Sequence, residues 1–248
     1  MAQRAVRLSG WPMALLMSVI YTAGMAVVWQ FADHSYSETA LLLRDVIVVL
    51  AGLVLVTLGV AWFSGLRIHR SRRIGWFGLL GAIPVLLILA TFVASATSGF
   101  TDTTLIIYVL VGTLLVGIGE ETAYRGVVLN ALASRMSLPW ATVVSAVLFG
   151  LMHSVNVILQ PVGTTIGQVV TTSLIGLFLG FVYVLSGGNL VLVVVLHWLW
   201  DFGLIAADVT VSPAVGWVGL ATVSVLLLAM VGTVYGFTKM SGARWDES

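Results

Sequence analysis

The sequence predicts an all-α protein, a polytopic transmembrane bundle of about eight helices. Of its 248 residues, 60% are apolar and 8% are charged, whereas about a quarter of the residues in a soluble domain are charged. The apolar residues form runs of about 20, the length that crosses a bilayer as a helix. Basic residues are concentrated in alternate loops, as expected for a membrane protein with one fixed orientation.

Charges and Gly, Pro or Asn residues separate the apolar runs. The predicted spans are residues 11–32, 45–66, 74–97, 103–119, 138–155, 164–186, 189–207 and 213–238. The first run is long for the apolar core of a signal peptide, so we interpret it as a transmembrane helix. Residues 120–136 mix charged and apolar side chains, which predicts an interfacial amphipathic continuation of the fourth span. We interpret residues 1–248 as one transmembrane domain.

The basic residues predict the orientation. With the N-terminus inside, only Arg44 of the 11 basic residues falls on the outer side. The others fall on inner segments: Arg4, Arg7, Arg67, Arg70, Arg72, Arg73, Arg125, Arg135, Lys239 and Arg244. This bias predicts cytoplasmic N- and C-termini in an integral protein of the cell membrane, here interpreted as a bacterial inner membrane. The run from Arg67 to Arg73 is interpreted as a topology anchor.

Composition also excludes several classes of function. The chain has no cysteine, which excludes disulfides, thiolate catalysis and zinc–cysteine sites. Basic residues are not interleaved with base-stacking aromatic residues, so nothing indicates a nucleic-acid partner. The apolar spans instead predict the lipid bilayer as a partner.

A few ionisable residues fall at membrane depth or at its margin, where a charge costs several kcal/mol and usually faces a cavity or a partner. They are Glu120, Glu121, Arg125, His153, His197 and Asp201. Glu121 and Arg125 are four residues apart on one helix face, which predicts a salt bridge. Glu120 lies about 100° around the same helix, which leaves it as an unpaired carboxylate suited to general-base catalysis.

The two histidines allow more than one interpretation. His153 could be a hydrogen-bonded core residue or a site residue. His197 and Asp201 share a helix face, so Asp201 could fix the tautomer of His197, or both could face the cavity of Glu120. With straight helices that cross fully, Glu120 and His153 lie at different depths. Either the helix ends are shifted, or the segment 120–136 dips back into the membrane.

Three motifs resemble those of the CAAX-protease and bacteriocin-processing family, also called CPBP, of polytopic intramembrane endopeptidases. They read Glu120-Glu121-Thr122-Ala123-Tyr124-Arg125, Phe149-Gly150-Leu151-Met152-His153 and His197-Trp198-Leu199-Trp200-Asp201. Gly126 after the first motif also fits. The resemblance covers a core of roughly 115–205, and each motif alone is weak, whereas the three in order are specific.

The resemblance implies hydrolysis of a peptide bond in a membrane-associated or prenylated-type substrate, a peptide or membrane protein. By carry-over, Glu120 and His153 would activate a water, and His197 with residue 201 would stabilise the oxyanion. Glu121 would hold Arg125, and Phe149 would support the site. Asp201 departs from the Asn of many members, and an ionised Asp cannot donate to an oxyanion.

The family is commonly labelled metalloprotease, so a divalent metal such as zinc stays open as a cofactor. Glu120, His153, His197 and Asp201 could supply its ligands, although no His-Glu-x-x-His is present. A Gly-x-Ser-Gly motif and a Gly-x-Gly-Asp motif are also absent, which disfavours serine and aspartyl intramembrane proteases.

Two further classes of function stay open. Membrane Glu, His and Asp residues also occur in proton-coupled transporters, although the sequence shows no inverted repeat. A catalytically silent membrane scaffold would keep the fold and bind a partner. For the enzyme, the positive-inside assignment leads us to expect an inward-opening site that admits substrate from the inner leaflet.

Overall fold

The computed structural model describes residues 10–65 and 76–243, and these residues fold into helices with no β-strand. Within these described residues, eight helices are long and apolar enough to cross a membrane. They are α1 Trp11–Phe31, α2 Tyr36–Ser64, α3 Trp76–Ala96, α4 Thr103–Ala133, α5 Leu138–Ile158, α6 Val162–Leu185, α7 Leu190–Asp208 and α8 Val215–Lys239. The predicted fold class is confirmed, together with the eight spans. Arg4, Arg7, the run from Arg67 to Arg73 and Arg244 lie outside the described residues.

Local signals explain where several helices begin. The side chain of Asp102 accepts a hydrogen bond of 2.7 Å from the amide of Thr104 at the start of α4. Asn189 accepts one of 3.0 Å from Leu192 at the start of α7. Both satisfy an amide that has no partner within the first turn of the helix. In α1 and α5, a proline occupies the first turn, where its missing N–H costs nothing.

The predicted end of the fourth span is wrong. Instead of ending near residue 119, α4 continues to Ala133, and every residue from Glu120 to Ala133 is buried inside the protein. The expected interfacial helix is therefore absent. The charges that suggested an interface are paired internally, so Arg125 is not a loop residue and does not contribute to the orientation.

The helix ends form two opposite faces of the bundle, which we call the terminal face and the distal face. The terminal face holds Gly10, which lies against Arg135, and Leu138, whose amide donates to the carbonyl of Ala243 at 3.2 Å. On the distal face, Tyr36 bonds to Leu159 at 3.5 Å, and two reciprocal backbone bonds of 2.9 Å join the segments 99–101 and 209–211. An even number of spans places both described ends of the chain on the terminal face.

Helices α5 and α6 pack at very short distance through glycines. A Cβ atom at Gly150 would lie 2.7 Å from the carbonyl oxygen of Val169, and one at Gly176 would lie 2.8 Å from the Phe149 ring. Gly176 and Gly180 form a Gly-x-x-x-Gly pattern, which lets membrane helices approach closely. This contact places Phe149 and the backbone of α6 beside the motif residues of α4.

Candidate active site

An ion cluster on α4 and α7 joins the first and third motifs. Arg125 donates from Nη1 to Oε1 of Glu121 at 3.0 Å, as the i, i+4 spacing predicts. The same Oε1 accepts from Nδ1 of His197 at 2.7 Å. Arg125 also donates from Nη2 to the carbonyl of Gly176 at 2.9 Å. Glu121 therefore anchors His197 of α7 as well as Arg125 of its own helix.

Phe149 of α5 lies at the centre of the cluster. The guanidinium carbon of Arg125 is 4.6 Å from the centre of its ring, a cation–π arrangement. The His153 and His197 rings meet it edge-on, with centroids 5.0 Å and 6.2 Å away. Phe149 is buried, so one apolar ring fixes the positions of two histidines and an arginine from three different helices.

His153 has one ring nitrogen committed and one available. Its Nδ1 lies 3.0 Å from the carbonyl oxygen of Phe149, which can only accept, so Nδ1 carries the proton. In the neutral ring, the lone pair is then on Nε2. The side chain lines a cavity of about 460 Å³, so Nε2 is placed to accept a proton or a hydrogen bond there.

Glu120, His197 and Asp201 line the same cavity. The Nε2 of His197 is 3.3 Å from Oδ2 of Asp201 and 3.8 Å from Oε2 of Glu120. Oε2 of Glu120 is buried and makes no hydrogen bond. A neutral imidazole donates from one nitrogen only, so hydrogen bonds to both Glu121 and Asp201 would require one more proton, on the ring or on one of these two carboxyl groups. The structure thus brings together all three motifs.

The first motif leads into a π-helix, Thr122–Leu129, which interrupts the α-helical hydrogen bonding of α4. Side chains satisfy backbone groups along it. Asn130 donates from Nδ2 to the carbonyls of Arg125 at 2.8 Å and Gly126 at 3.0 Å. Ser145 of α5 donates to the carbonyl of Tyr124 at 2.9 Å. Such π segments are rare and frequently occur at functional sites.

The length of α4 resolves the disagreement in depth. Glu120 lies 13 residues before Ala133, and His153 lies 15 residues after Leu138, so both are about 20 Å from the terminal ends of their helices. Helix α7 begins farther from the terminal face than α4 ends, as shown by its residue Leu190, whose side chain lies close to Gly126 within α4. Of the two explanations left open, a shifted helix end is the one observed.

The metal set allowed by the sequence is not formed. Within residues 10–65 and 76–243, no three His, Asp or Glu side chains are arranged to hold a metal ion. Both nitrogens of His197 already contact carboxylates, whereas a zinc ligand needs a free lone pair directed at the metal. The residues as placed therefore do not fit a zinc site, and we derive no step through a metal.

The comparison with protein families bears on the same segment. Residues 102–203 match the Rce1-like family of type II CAAX prenyl endopeptidases. The chain is similar to that family. The match begins at the cap of α4 and ends in α7, so it includes all three motifs and confirms the resemblance stated from them. No curated protein matches the chain.

The site also contains residues that motif reading missed. Asn130 supports the π-helix. In the sequence it is a single amide within an apolar run, and we interpreted it as part of an interfacial helix. Gly176 supplies a carbonyl to Arg125, and the Gly-x-x-x-Gly pattern could have indicated its close contact. Tyr36 and Gln168 line the cavity, and their side chains are joined by a hydrogen bond of 3.0 Å. No sequence pattern connects these two residues with the motifs.

Proposed function

We propose that the protein is an intramembrane endopeptidase in which Glu120 and His153 activate a water for attack on a peptide bond. The observation that carries this proposal is the convergence of Glu120, His153 and His197, from three helices, on one cavity. The similarity to CAAX prenyl endopeptidases supports the same class of reaction. A membrane-associated peptide or protein is the expected substrate.

The proposed reaction uses atoms whose lone pairs make no hydrogen bond within the described part of the protein. The unpaired Oε2 of Glu120 takes a proton from water as the water oxygen bonds to the scissile carbonyl carbon. His153 Nε2 accepts the second hydrogen of that water and orients it. When the C–N bond breaks, the proton on Glu120 passes to the leaving amine nitrogen, and the products are a carboxylic acid and an amine.

His197 is proposed to stabilise the oxyanion. Its Nε2 faces the cavity, while Nδ1 is held by Glu121 at 2.7 Å. A protonated ring can therefore donate from Nε2 to the developing negative charge. Asp201, at 3.3 Å from the same nitrogen, would orient the ring and favour its protonated form, which gives an aspartate a role that does not require it to donate.

Purified protein with a peptide library in detergent tests the proposal. Glu120→Gln removes the base with little change of shape, and we expect kcat/KM to fall by about 10²–10⁴-fold. Glu38→Gln is the matched control, because Glu38 is exposed on the distal face. Cleavage by Glu120→Gln at the rate of Glu38→Gln would contradict the proposal. A parallel series with a chelator tests metal dependence, and the side-chain arrangement leads us to expect unchanged cleavage.

A further inference from the structure

The cavity opens towards the distal face. Its outer part is lined by Tyr36, Thr164 and Asp208, at the distal ends of α2, α6 and α7, and by Gln160, in the connection after α5. Glu120 and His153 lie at its inner end, where the cavity meets the core. A substrate that enters through the mouth therefore approaches the site from the side opposite the chain termini.

The other side of the site is closed by packing. All residues from Glu120 to Ala133 are buried, and several of the largest side chains near them have almost no exposed surface: Tyr21, Tyr124, Arg125, Leu129, Leu132 and Tyr183. A peptide that started at the terminal face would have to displace this core. Closely packed interiors do not open for a chain without losing much of their stability.

The charges assign the two faces to the two sides of the membrane. Of the 11 basic residues, Arg125 is buried in the site and Arg44 lies near the distal end of α2. The remaining nine fall in the terminal segments or between spans that join at the terminal face, which the positive-inside rule places in the cytoplasm. The distal segments instead carry acidic residues: Asp33, Glu38, Asp102 and Asp208.

We infer that the active site takes its substrate from the extracytoplasmic side of the membrane. This inference rests on the proposed function and assigns the substrate class. The substrate is an extended segment of an exported peptide, or the extracytoplasmic end of a membrane protein, rather than a cytoplasmic C-terminus. The expectation of an inward-opening site that admits substrate from the inner leaflet is thereby reversed.

The cavity wall suits such a segment. Thr164, Gln168 and Thr172 follow one another at four-residue spacing along α6 and line the cavity, so they form a polar stripe on one face of this membrane helix. An extended peptide carries unpaired backbone N–H and C=O groups that must find partners away from water. The hydroxyl groups of Thr164 and Thr172 can supply such partners between the mouth and Glu120, whereas the Gln168 amide already bonds to Tyr36 and Asn156.

The absence of cysteine from the chain makes a direct test available. Single-cysteine variants at Thr164 near the mouth, at Thr172 deeper in the cavity and at Ser134 on the terminal face are expressed in cells. Each is treated with a membrane-impermeant maleimide before or after permeabilisation. We expect the Thr164→Cys and Thr172→Cys variants to be labelled in intact cells, and Ser134→Cys only after permeabilisation.

Two outcomes would overturn the inference. Labelling of Ser134→Cys in intact cells would reverse the orientation, and labelling of Thr172→Cys only after permeabilisation would show that the cavity opens to the cytoplasm. A second readout uses membrane-anchored reporters that present the same cleavable peptide outside or inside the cell. We expect cleavage of the outer reporter alone, and cleavage of the inner reporter alone would contradict the inference.

The test separates this inference from the proposed function. If labelling follows the expected pattern but Glu120→Gln cleaves its peptides normally, the chemistry is wrong and the access route stands. If Glu120→Gln is inactive and the labelling is reversed, the chemistry stands and the access route is wrong.

Discussion

The half of the bundle near the terminal face and the half near the distal face are built differently. Towards the terminal face, α4 is buried around its whole circumference from Glu120 to Ala133, and Gly176 and Gly180 bring α6 into close contact with α5. Towards the distal face, α6 is largely exposed from Val162 to Val170 and borders an open cavity. The reactive residues lie at the boundary, so one half can hold them in place while the other admits a substrate.

Substitution of Arg125 should have the largest effect on stability if the packed half acts as a rigid support. Arg125→Met removes the cationic partner of Glu121 and leaves only the His197 ring beside this buried carboxylate, which should lower the free energy of unfolding by about 3–5 kcal/mol. Thermal unfolding in detergent measures the change. Arg44→Met is the control, since Arg44 is exposed and its pair with Asp45 is 3.3 Å long; a loss of at most about 1 kcal/mol is expected there. Equal losses would remove the distinction between the two halves.

The close contact of α5 and α6 should be the next most sensitive feature. Gly150→Ala places a methyl group 2.7 Å from the carbonyl oxygen of Val169, and overpacking of this kind costs about 1–3 kcal/mol. Gly163→Ala is the matched control on the distal part of α6, where no atom lies within 4 Å of the added carbon. If both variants unfold at the same temperature, the short interhelical distance does not support the site.

The π-helix should lose stability when its carbonyls lose their partner. Asn130→Leu leaves the buried carbonyls of Arg125 and Gly126 without the amide donor, at a cost of about 1–3 kcal/mol. Gln30→Leu is a suitable control, because Gln30 makes a similar bond of 3.2 Å to the carbonyl of Ala26 in an exposed position. Circular dichroism during heating compares the two, and an unchanged melting temperature for Asn130→Leu would show that the π-helix does not depend on this amide.

In the open half, we expect an effect on substrate binding and little on folding. Thr172→Val removes a hydroxyl from the cavity wall, so KM should rise by about 3–10-fold, the equivalent of one hydrogen bond, with stability changed by less than about 0.5 kcal/mol. Thr222→Val is the control, since its hydroxyl makes the same type of bond to its own helix at 2.9 Å but is exposed on α8. A rise in KM for both variants would indicate that the cavity hydroxyl has no specific role.

The sequence predicted the parts of the site that follow from spacing along one helix. The pair of Glu121 and Arg125 and the shared face of His197 and Asp201 are both four-residue relations, which helix geometry makes local. The contact between Glu121 and His197 joins positions 76 residues apart, and only the packing of α4 against α7 creates it. Spacing on one helix could not therefore show that Glu121 binds His197 as well as Arg125.

The error in α4 has a physical cause. Charged residues within an apolar segment predict a water-facing surface only when they lack internal partners. Here Arg125 finds Glu121, Phe149 and the carbonyl of Gly176, and Asn130 finds backbone carbonyls. Because Phe149 and Gly176 lie on other helices, hydropathy along one segment could not distinguish a buried polar network from an interface. The position of the cavity mouth at the distal face could not be predicted for a related reason, since segments from four helices form it.

The π-helix of α4 also makes the site sensitive to the length of the chain. A π turn contains more residues than an α turn, so deletion of one residue between Thr122 and Leu129 could convert the segment to regular α-helix while leaving all charged groups in the sequence. Side chains inside the segment would then be repositioned relative to Glu120 and Glu121, while those beyond it would keep nearly their orientation, because the wider π turn accommodates about one extra residue. The phase of the helix, and not only its composition, is therefore a feature that the site requires.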